Sequence, residues 1–342
     1  MGYGGNLIWT SVFKTLNERD GRKPAPVHLP QLSDLLAGAL HDRSVSLADD
    51  EIYRGNPRLV FPPTTAKGTL ARLLDAVSRV ALRQPALRRA FEAWILRRAE
   101  AADTPPAPRL IHVDMRLHSY AETQDRRRTI WKTQPRAADA MLARLGGGAA
   151  SLDCEFCFTA AEHEEADALV AAHGLRDGFV AIEPETNRDY FGELRAWPAE
   201  RWTALVAALR DSHRGLQVAQ LGIGRGPAIP GVIDLRGHTS FRIASLLLQR
   251  ARLFVGTESG LMHAANAVGA RTLILWGGIT LPEFAGYPTR QRTICKYVAC
   301  SPCGQSGWCD NGHVCMRGIT VDEVVAAARE EVDRPAHPAA PR

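Results

Sequence analysis

Short apolar runs alternate with longer amphipathic segments through the second half of the chain. Phe179-Val180-Ala181-Ile182, residues 217–221, Val232-Ile233-Asp234, Leu253-Phe254-Val255 and residues 272–276 each have the length of a buried strand. Between them lie stretches of helical period. Trp197-Pro198 leads into one that runs to about Asp211, with proline near its first turn. Ser240 is placed to cap another that reaches about Arg250, and residues 261–268 form a third, ended by Gly269-Ala270. A last helix is expected over residues 321–332. Strand and helix taking turns predict a parallel sheet with right-handed crossovers and helices on both faces.

The first half is less regular. A glycine-rich loop, Met1-Gly2-Tyr3-Gly4-Gly5-Asn6, runs into a helix expected from about Leu7 to Glu18. In a Rossmann-like domain such a loop follows the first strand, so either that strand lies upstream of residue 1 or the fold begins without it. Residues 24–30 are extended and 32–40 helical. From 69 to 100, leucines and alanines recur at helical spacing with arginines between them, as one or two helices interrupted near Pro85. Pro105-Pro106-Ala107-Pro108 is a loop. Leu110-Ile111-His112-Val113-Asp114 is a strand that ends in a carboxylate, and Trp131-Lys132 is a candidate lining of the acceptor side. Gly146-Gly147-Gly148 is a flexible break before a helix over residues 160–173. The expected domains are 1–175 and 176–333, with a boundary near 174–178 and a disordered Pro/Ala-rich tail over 334–342.

The chain is organised around residues 253–278. There a polar loop, Gly256-Thr257-Glu258-Ser259-Gly260, joins the carboxyl end of a strand to the amino end of a helix. Free backbone N–H groups and the helix dipole favour an anion at such a place. Ser259 adds a hydroxyl, and Gly260 permits close approach. The same pattern also fits an ordinary βαβ turn whose Ser and Thr cap the helix.

Composition narrows the class. Of 342 residues, 45% are hydrophobic and 23% charged, as in a soluble globular protein, and the length suits two domains. No apolar run approaches membrane-spanning length and no signal peptide opens the chain, so the cytoplasm is the expected location. The net charge is only +5, and nothing matches a nucleic-acid-binding motif. Arginine is locally dense at Arg88-Arg89, Arg97-Arg98 and Arg126-Arg127-Arg128, either as solvated helix faces or as a peripheral contact with an anionic acceptor or membrane surface.

Seven cysteines fall in two groups. Cys300, Cys303, Cys309 and Cys315 form a dense cluster, with Cys295 before them and His313 among them, inside a cysteine-rich segment over 295–315. Cys154 and Cys157 form a separate C-x2-C pair. In a cytosolic protein this spacing points to metal more than to disulfides. Four thiolates would make a closed structural site for zinc or iron. Free thiols or a disulfide-linked loop are the alternatives, and no organic cofactor is indicated.

The wording of several turns carries a resemblance. Gly256-Thr257-Glu258-Ser259-Gly260-Leu261-Met262-His263-Ala264-Ala265 resembles the D-S-G-x-M-H-x-A signature of glycosyltransferase family 9, the bacterial heptosyltransferases, with Glu258 where the family has Asp. Arg195-Ala196-Trp197-Pro198 resembles its K-x-W-P turn, with Arg for Lys. Leu235-Arg236-Gly237-His238-Thr239-Ser240 resembles its L-x-G-x-T-S turn. Gly5-Asn6-Leu7-Ile8-Trp9-Thr10 resembles its amino-terminal G-D-x-L-x-T run, with Asn6 in place of the Asp favoured as general base. The resemblance spans the second domain and scattered parts of the first. The cysteine cluster is similar to that of the iron-binding heptosyltransferases that modify autotransporter proteins.

The resemblance implies an α/β protein of GT-B fold, with two Rossmann-like domains facing a cleft. It implies an inverting transferase that moves a heptose from a nucleotide-sugar donor, expected to be ADP-heptose, to a hydroxyl of a glycan or protein acceptor. Thr186, Arg195, Gly222, Glu258, Ser259, Gly260, Leu261, Met262 and His263 are then the expected donor-binding residues, and Gly4, Gly5 and Thr10 the acceptor-side ones. An amide cannot take a proton at neutral pH. With Asn6 there, the usual base is absent or another carboxylate does the work: Asp114, at a strand's carboxyl end, is the candidate replacement base, though it could equally pair with Arg116 or cap the next segment. The competing reading is that Asn6 only orients the acceptor while a different carboxylate acts. Two other readings stay open: a GT-B transferase for another nucleotide sugar, and a catalytically dead nucleotide-sugar-binding scaffold.

Overall fold

A computed structural model describes residues 3–21, 24–27, 51–59, 111–114, 136–143, 145–175, 178–185, 192–224, 226–289, 291–304 and 309–335, with 24–27 and 111–114 as backbone alone. The expected helices over 32–40 and 69–100, the 105–108 loop, the arginine clusters, Trp131-Lys132, Thr186 and most of the tail lie outside the described residues. Contacts divide the chain into two compact units. One comprises Met1–Ile8, Thr123–Ala138 and Leu152–Arg342; the other comprises Trp9–Glu122 and Asp139–Ser151.

The larger unit is built on a six-stranded, wholly parallel sheet. Its strands are β3 (Phe179–Ile182), β4 (Gln217–Gln220), β5 (Ile233–Asp234), β6 (Leu253–Thr257), β7 (Thr272–Trp276) and β8 (Gln291–Cys295), in the spatial order β5-β4-β3-β6-β7-β8. β3 pairs with β6 in the register Val180↔Leu253 to Ile182↔Val255. Every residue of β3, β6 and β7 is buried, as helices on both faces require. One face carries α5 (Ala199–Ser212) and α10 (Val321–Asp333), which pack together; the other carries α3 (Ala160–Ala172), α6 (Phe241–Arg250) and α7 (Gly260–Ala267). On α5, Trp202, Leu205, Val206 and Leu209 recur at helical spacing and meet Val180, Ile182, Val218 and Val255 in one core cluster.

The short elements hold the loops. Trp197, just after α4 (Gly192–Arg195), donates from Nε1 to the Ile319 carbonyl at 2.9 Å, which ties this turn to the start of α10. α8 (Pro282–Ala285) follows β7, and α9 (Val314–Arg317) lies in the cysteine-rich segment. On the opposite face, Arg242 of α6 pairs with Glu162 of α3 at 2.6 Å and lies 5.0 Å from the ring centroids of both Phe156 and Phe158. This staple explains why α3, expected in the first domain, belongs to the larger unit. β8 was not expected: Gln291-Arg292-Thr293-Ile294-Cys295 mixes polar and apolar residues because it is an edge strand, half-buried throughout.

In the smaller unit, β1 (Pro24–Val27) runs parallel to β2 (Ile111–Asp114), with Val27 opposite Asp114. α1 (Tyr3–Asp20), whose residues up to Ile8 belong to the larger unit, begins earlier than its glycines suggest, so Gly4, Gly5 and Asn6 stand in its first turn and not in a loop. Burial of Leu7, Ile8, Trp9, Val12, Phe13 and Leu16 stabilises the helix, and glycine costs least near an end that already lacks hydrogen-bond partners. The glycine run after α2 (Ala137–Ala143) is held in place: Arg19 donates to the Gly147 carbonyl at 2.8 Å, and Ser151 N–H donates to Thr15 Oγ1 at 2.8 Å. No described helix is long and apolar enough to cross a membrane.

Candidate functional site

The strand order reverses direction between β3 and β6. The chain builds outward from β3 through β4 to β5, then returns to β3's other side and continues through β6, β7 and β8. Open α/β sheets bind ligands at the carboxyl ends of the strands flanking such a switch. Here those ends carry Glu183 after β3 and Glu258-Ser259 after β6.

Ser259 is the N-cap of α7. Its Oγ accepts from Met262 N–H at 3.3 Å and donates to Glu183 Oε2. Burial pushes the Glu183 carboxyl up to about 8, and the Ser259 hydroxyl offsets part of that rise. The carboxyl end of β3 thus carries a carboxyl that holds its proton at neutral pH, which removes one like charge from the approach of an anion to the Gly260 and Leu261 N–H groups of α7's first turn. The side chains of Leu261 and Met262 are buried in the core, so neither side chain is presented to a ligand.

Arg195 closes α4 and reaches Glu258 through Nη2 at 3.0 Å, with both side chains largely buried. The other Glu258 oxygen accepts from Thr280 Oγ1 at 3.0 Å. Thr280 is itself placed by Trp276, whose Nε1 donates to the Thr280 carbonyl at 3.1 Å. The positive charge expected to grip a phosphate therefore stands at the crevice with Glu258 as its counter-ion. The family resemblance suggested Arg195 and Glu258 separately; their direct pairing, and the Thr280 bond to the second Glu258 oxygen, needed the tertiary structure.

His263 follows one turn into α7. Its Nδ1 is 2.6 Å from the Tyr287 hydroxyl, which is 3.1 Å from Cys154 Sγ. Burial, reinforced by the nearby Arg195 charge, pulls the His263 pKa down to about 3, so the ring is neutral at working pH. Gly4 lies against its other edge: a Cβ there would come within 2.5 Å of His263 Cδ2 and 3.0 Å of Nε2. At Gly260 an added Cβ would make only ordinary contacts, with the Phe241 ring at 3.4 Å and Tyr3 Cβ at 3.5 Å; the Tyr3 and Phe241 rings stack with centroids 4.3 Å apart.

Gly222 lies on the neighbouring β4 loop with φ +124, a conformation that favours glycine, and its carbonyl accepts from Gly237 N–H at 3.0 Å. Arg236 stiffens this loop by bonding Asp234 at 2.8 and 2.9 Å, which holds the Asp234 carboxyl below its ordinary pKa. A cavity of about 890 Å³ opens at the carboxyl ends of β3 and β4, with Pro184, Glu185, Trp197, Gln220, Ile229 and Arg317 among its lining residues.

The structure thus gathers Arg195, Glu258, Ser259, Gly260 and His263 at one place, with Gly4 beside His263. Gly5 and Asn6 follow in the first turn of α1. Thr10 is fully buried on α1, and Asp114 ends β2. Sequence reasoning missed Glu183, Thr280 and Tyr287. Only Glu183 carried a signal, as a carboxylate at the end of a predicted strand.

The cysteines do not converge. None of the seven is in a disulfide, and among the described residues no three of His, Cys, Asp and Glu are grouped to hold a metal ion. Cys303 N–H donates to the Gly278 carbonyl at 2.8 Å, Cys309 Sγ accepts from His313 N–H at 3.3 Å, and Cys315 packs against Gly278. As placed, Cys300, Cys303, Cys309 and Cys315 do not fit the closed tetrahedral centre their spacing suggested.

Comparison with known proteins adds to this geometry. The profile of glycosyltransferase family 9 (heptosyltransferase) matches residues 149–310. Lipopolysaccharide heptosyltransferase 3 of Escherichia coli K12 is 30% identical over 125 residues, which is 33% of this chain and 33% of that protein, so the match spans about a third of the relative's length. A crystal structure of a family 9 glycosyl transferase from Veillonella parvula superposes with a TM-score of 0.60 at 14% identity, over 97% of this chain and 95% of that one. The likeness shows a shared fold, α/β of the GT-B kind. An iron-containing dodecameric glycosyltransferase, TibC of enterotoxigenic E. coli, is more distant, with a TM-score of 0.43 at 17% identity over 67% of this chain and 60% of that one. Over residues 149–310, which hold Glu183, Arg195, Glu258, Ser259 and His263, this chain is similar to glycosyltransferase family 9, the heptosyltransferases.

Proposed function

We propose that the protein is an inverting glycosyltransferase that moves a heptose from ADP-heptose to an acceptor hydroxyl, of a lipopolysaccharide core sugar or of a protein serine or threonine, in the cytoplasm. The observation that carries this reading is the coincidence of the family match with the topological switch point, where a largely buried Arg195–Glu258 pair stands beside the α7 amino end. Sugar transfer passes through an oxocarbenium-like state. The acceptor oxygen bonds to the anomeric carbon as the bond from that carbon to the diphosphate oxygen breaks. The leaving diphosphate gains negative charge, which Arg195 and the N–H groups of Gly260 and Leu261 are suited to stabilise. The 890 Å³ cavity is of the size that takes a nucleoside or sugar, but Arg195, Glu258, Ser259 and His263 are not among its lining residues, so the reading does not rest on it. The acceptor's proton goes to a base, for which Asp114 is the candidate, with Asn6 orienting the hydroxyl. No step is assigned to a metal.

The test is incubation with a panel of ADP- and other nucleotide-linked sugars, with and without acceptors, reading nucleotide release and product mass. Release from ADP-heptose alone supports the reading, and release from another donor replaces the sugar. Asn6, at the position of the family's favoured base, favours one rival: a nucleotide-sugar-binding scaffold without turnover. Tight donor binding with no release under any acceptor would establish it.

A further inference from the structure

The donor-site reading leaves Tyr287 and Cys154 unused, although both are buried and joined to His263. Their order is informative. Tyr287 OH stands between Nδ1 of the imidazole and Sγ of the thiol. An imidazole nitrogen is a far better acceptor than sulfur, and a phenol is a far better donor than a thiol. The arrangement that uses each group at its stronger capacity runs Cys154 S–H to Tyr287 O, and Tyr287 O–H to His263 Nδ1. The opposite polarity would spend the phenol proton on sulfur.

We propose that Tyr287, backed by Cys154, is a positioning residue that locks His263 as the Nε2-protonated tautomer, so that Nε2–H is a fixed neutral donor to a phosphate oxygen of the bound nucleotide; that ligand assignment rests on the donor-site reading above. Three further observations agree. His263 makes no second hydrogen bond among the described residues, which leaves Nε2–H for a ligand. The ring is buried beside a cation and is neutral, so one nitrogen alone carries a proton. Gly4 lies beside the Cδ2–Nε2 edge, where any side chain would strike the ring and cover Nε2. The backbone also anchors the relay: Cys154 N–H donates to Asn266 Oδ1 at 2.9 Å, one turn along α7 from His263.

The experiment is histidine-selective 15N labelling of the full chain, with the His263 ring identified by its loss in His263→Gln. The expected spectrum has Nδ1 unprotonated and Nε2 protonated, unchanged from about pH 5.5 to 8. In Tyr287→Phe, signal is expected to shift toward the Nδ1-protonated form or a mixture of the two. The Kd for ADP should rise about 5- to 10-fold, roughly the value of one lost oriented hydrogen bond. A merely structural tyrosine would lower the melting temperature without changing the tautomer. Should Tyr287→Phe not fold, the parent spectrum and Cys154→Ser, which retains a donor to the phenol and should retain the tautomer, still decide. An Nδ1-protonated parent ring, or an unchanged spectrum in Tyr287→Phe, overturns the proposal. Failure of the parent to bind ADP or pyrophosphate, with the tautomer as stated, instead overturns the donor-site reading and the assigned ligand.

Discussion

At the scale of single residues, the crevice works by keeping charge out of the wrong places. The unfolded chain releases the Glu183 proton near 4.5, whereas the folded protein holds it up to about 8. Between those values the unfolded state gains progressively, so this residue's contribution to stability falls as pH rises through the window. Glu183→Gln keeps an acceptor for Ser259 and removes the titration. It should exceed the parent by ~2–4 kcal/mol at pH 8 and match it closely at pH 5 in urea unfolding; the same gap at both values would contradict the buried-acid assignment. His263 acts at the other end: its depressed pKa means stability is lost as pH falls from 6.5 toward 3. Arg195→Ala strands Glu258 with Thr280 as its remaining partner. A cost of roughly 2–4 kcal/mol is expected, below the fully buried limit because both side chains retain some exposure. Arg195→Met with Glu258→Gln should recover most of it, and a double variant no more stable than the single one would show that the pair is not coupled.

At the scale of elements, legibility followed burial. β3, β6 and β7 were readable because strands covered on both faces must be apolar throughout, and α5, α6, α7 and α10 because each has a clear cap or apolar stripe. β8 was not readable, because an edge strand need not be apolar. α1 was misread at its start because Gly4 and Gly5 resemble a loop, while the burial that stabilises the helix begins only at Leu7. Two substitutions probe these elements. Leu205→Ala, in the core under the sheet, should cost about 2–5 kcal/mol in denaturant unfolding. A loss under 1 kcal/mol would mean the α5 face is not packed as described. Gly4→Ala would favour an ordinary helix by propensity. Here it should instead destabilise by roughly 1–3 kcal/mol, because the new methyl meets the buried His263 ring; a more stable variant would place that ring elsewhere.

At the scale of the whole molecule, the open chemical question is the base. Asn6 cannot supply one. Asp114→Asn should lower turnover by about 10²–10⁴-fold while leaving donor binding near the parent value, as loss of general base catalysis requires. Turnover near the parent level would exclude Asp114. The sequence by itself determined the class of fold: alternating apolar runs and amphipathic segments have few solutions other than a covered parallel sheet. It also determined where an anion could bind, because a Gly/Ser-rich turn between strand and helix presents the same free N–H groups in any context. Tertiary structure alone decided the strand order, and so the switch point that brings Glu183 to Ser259 across 76 positions of chain. It decided too that Arg195 meets Glu258, that Tyr287 meets His263, and that four cysteines spaced like metal ligands do not converge. Such pairings depend on which elements become neighbours. Periodicity reports only the face an element buries, not the partner it buries that face against.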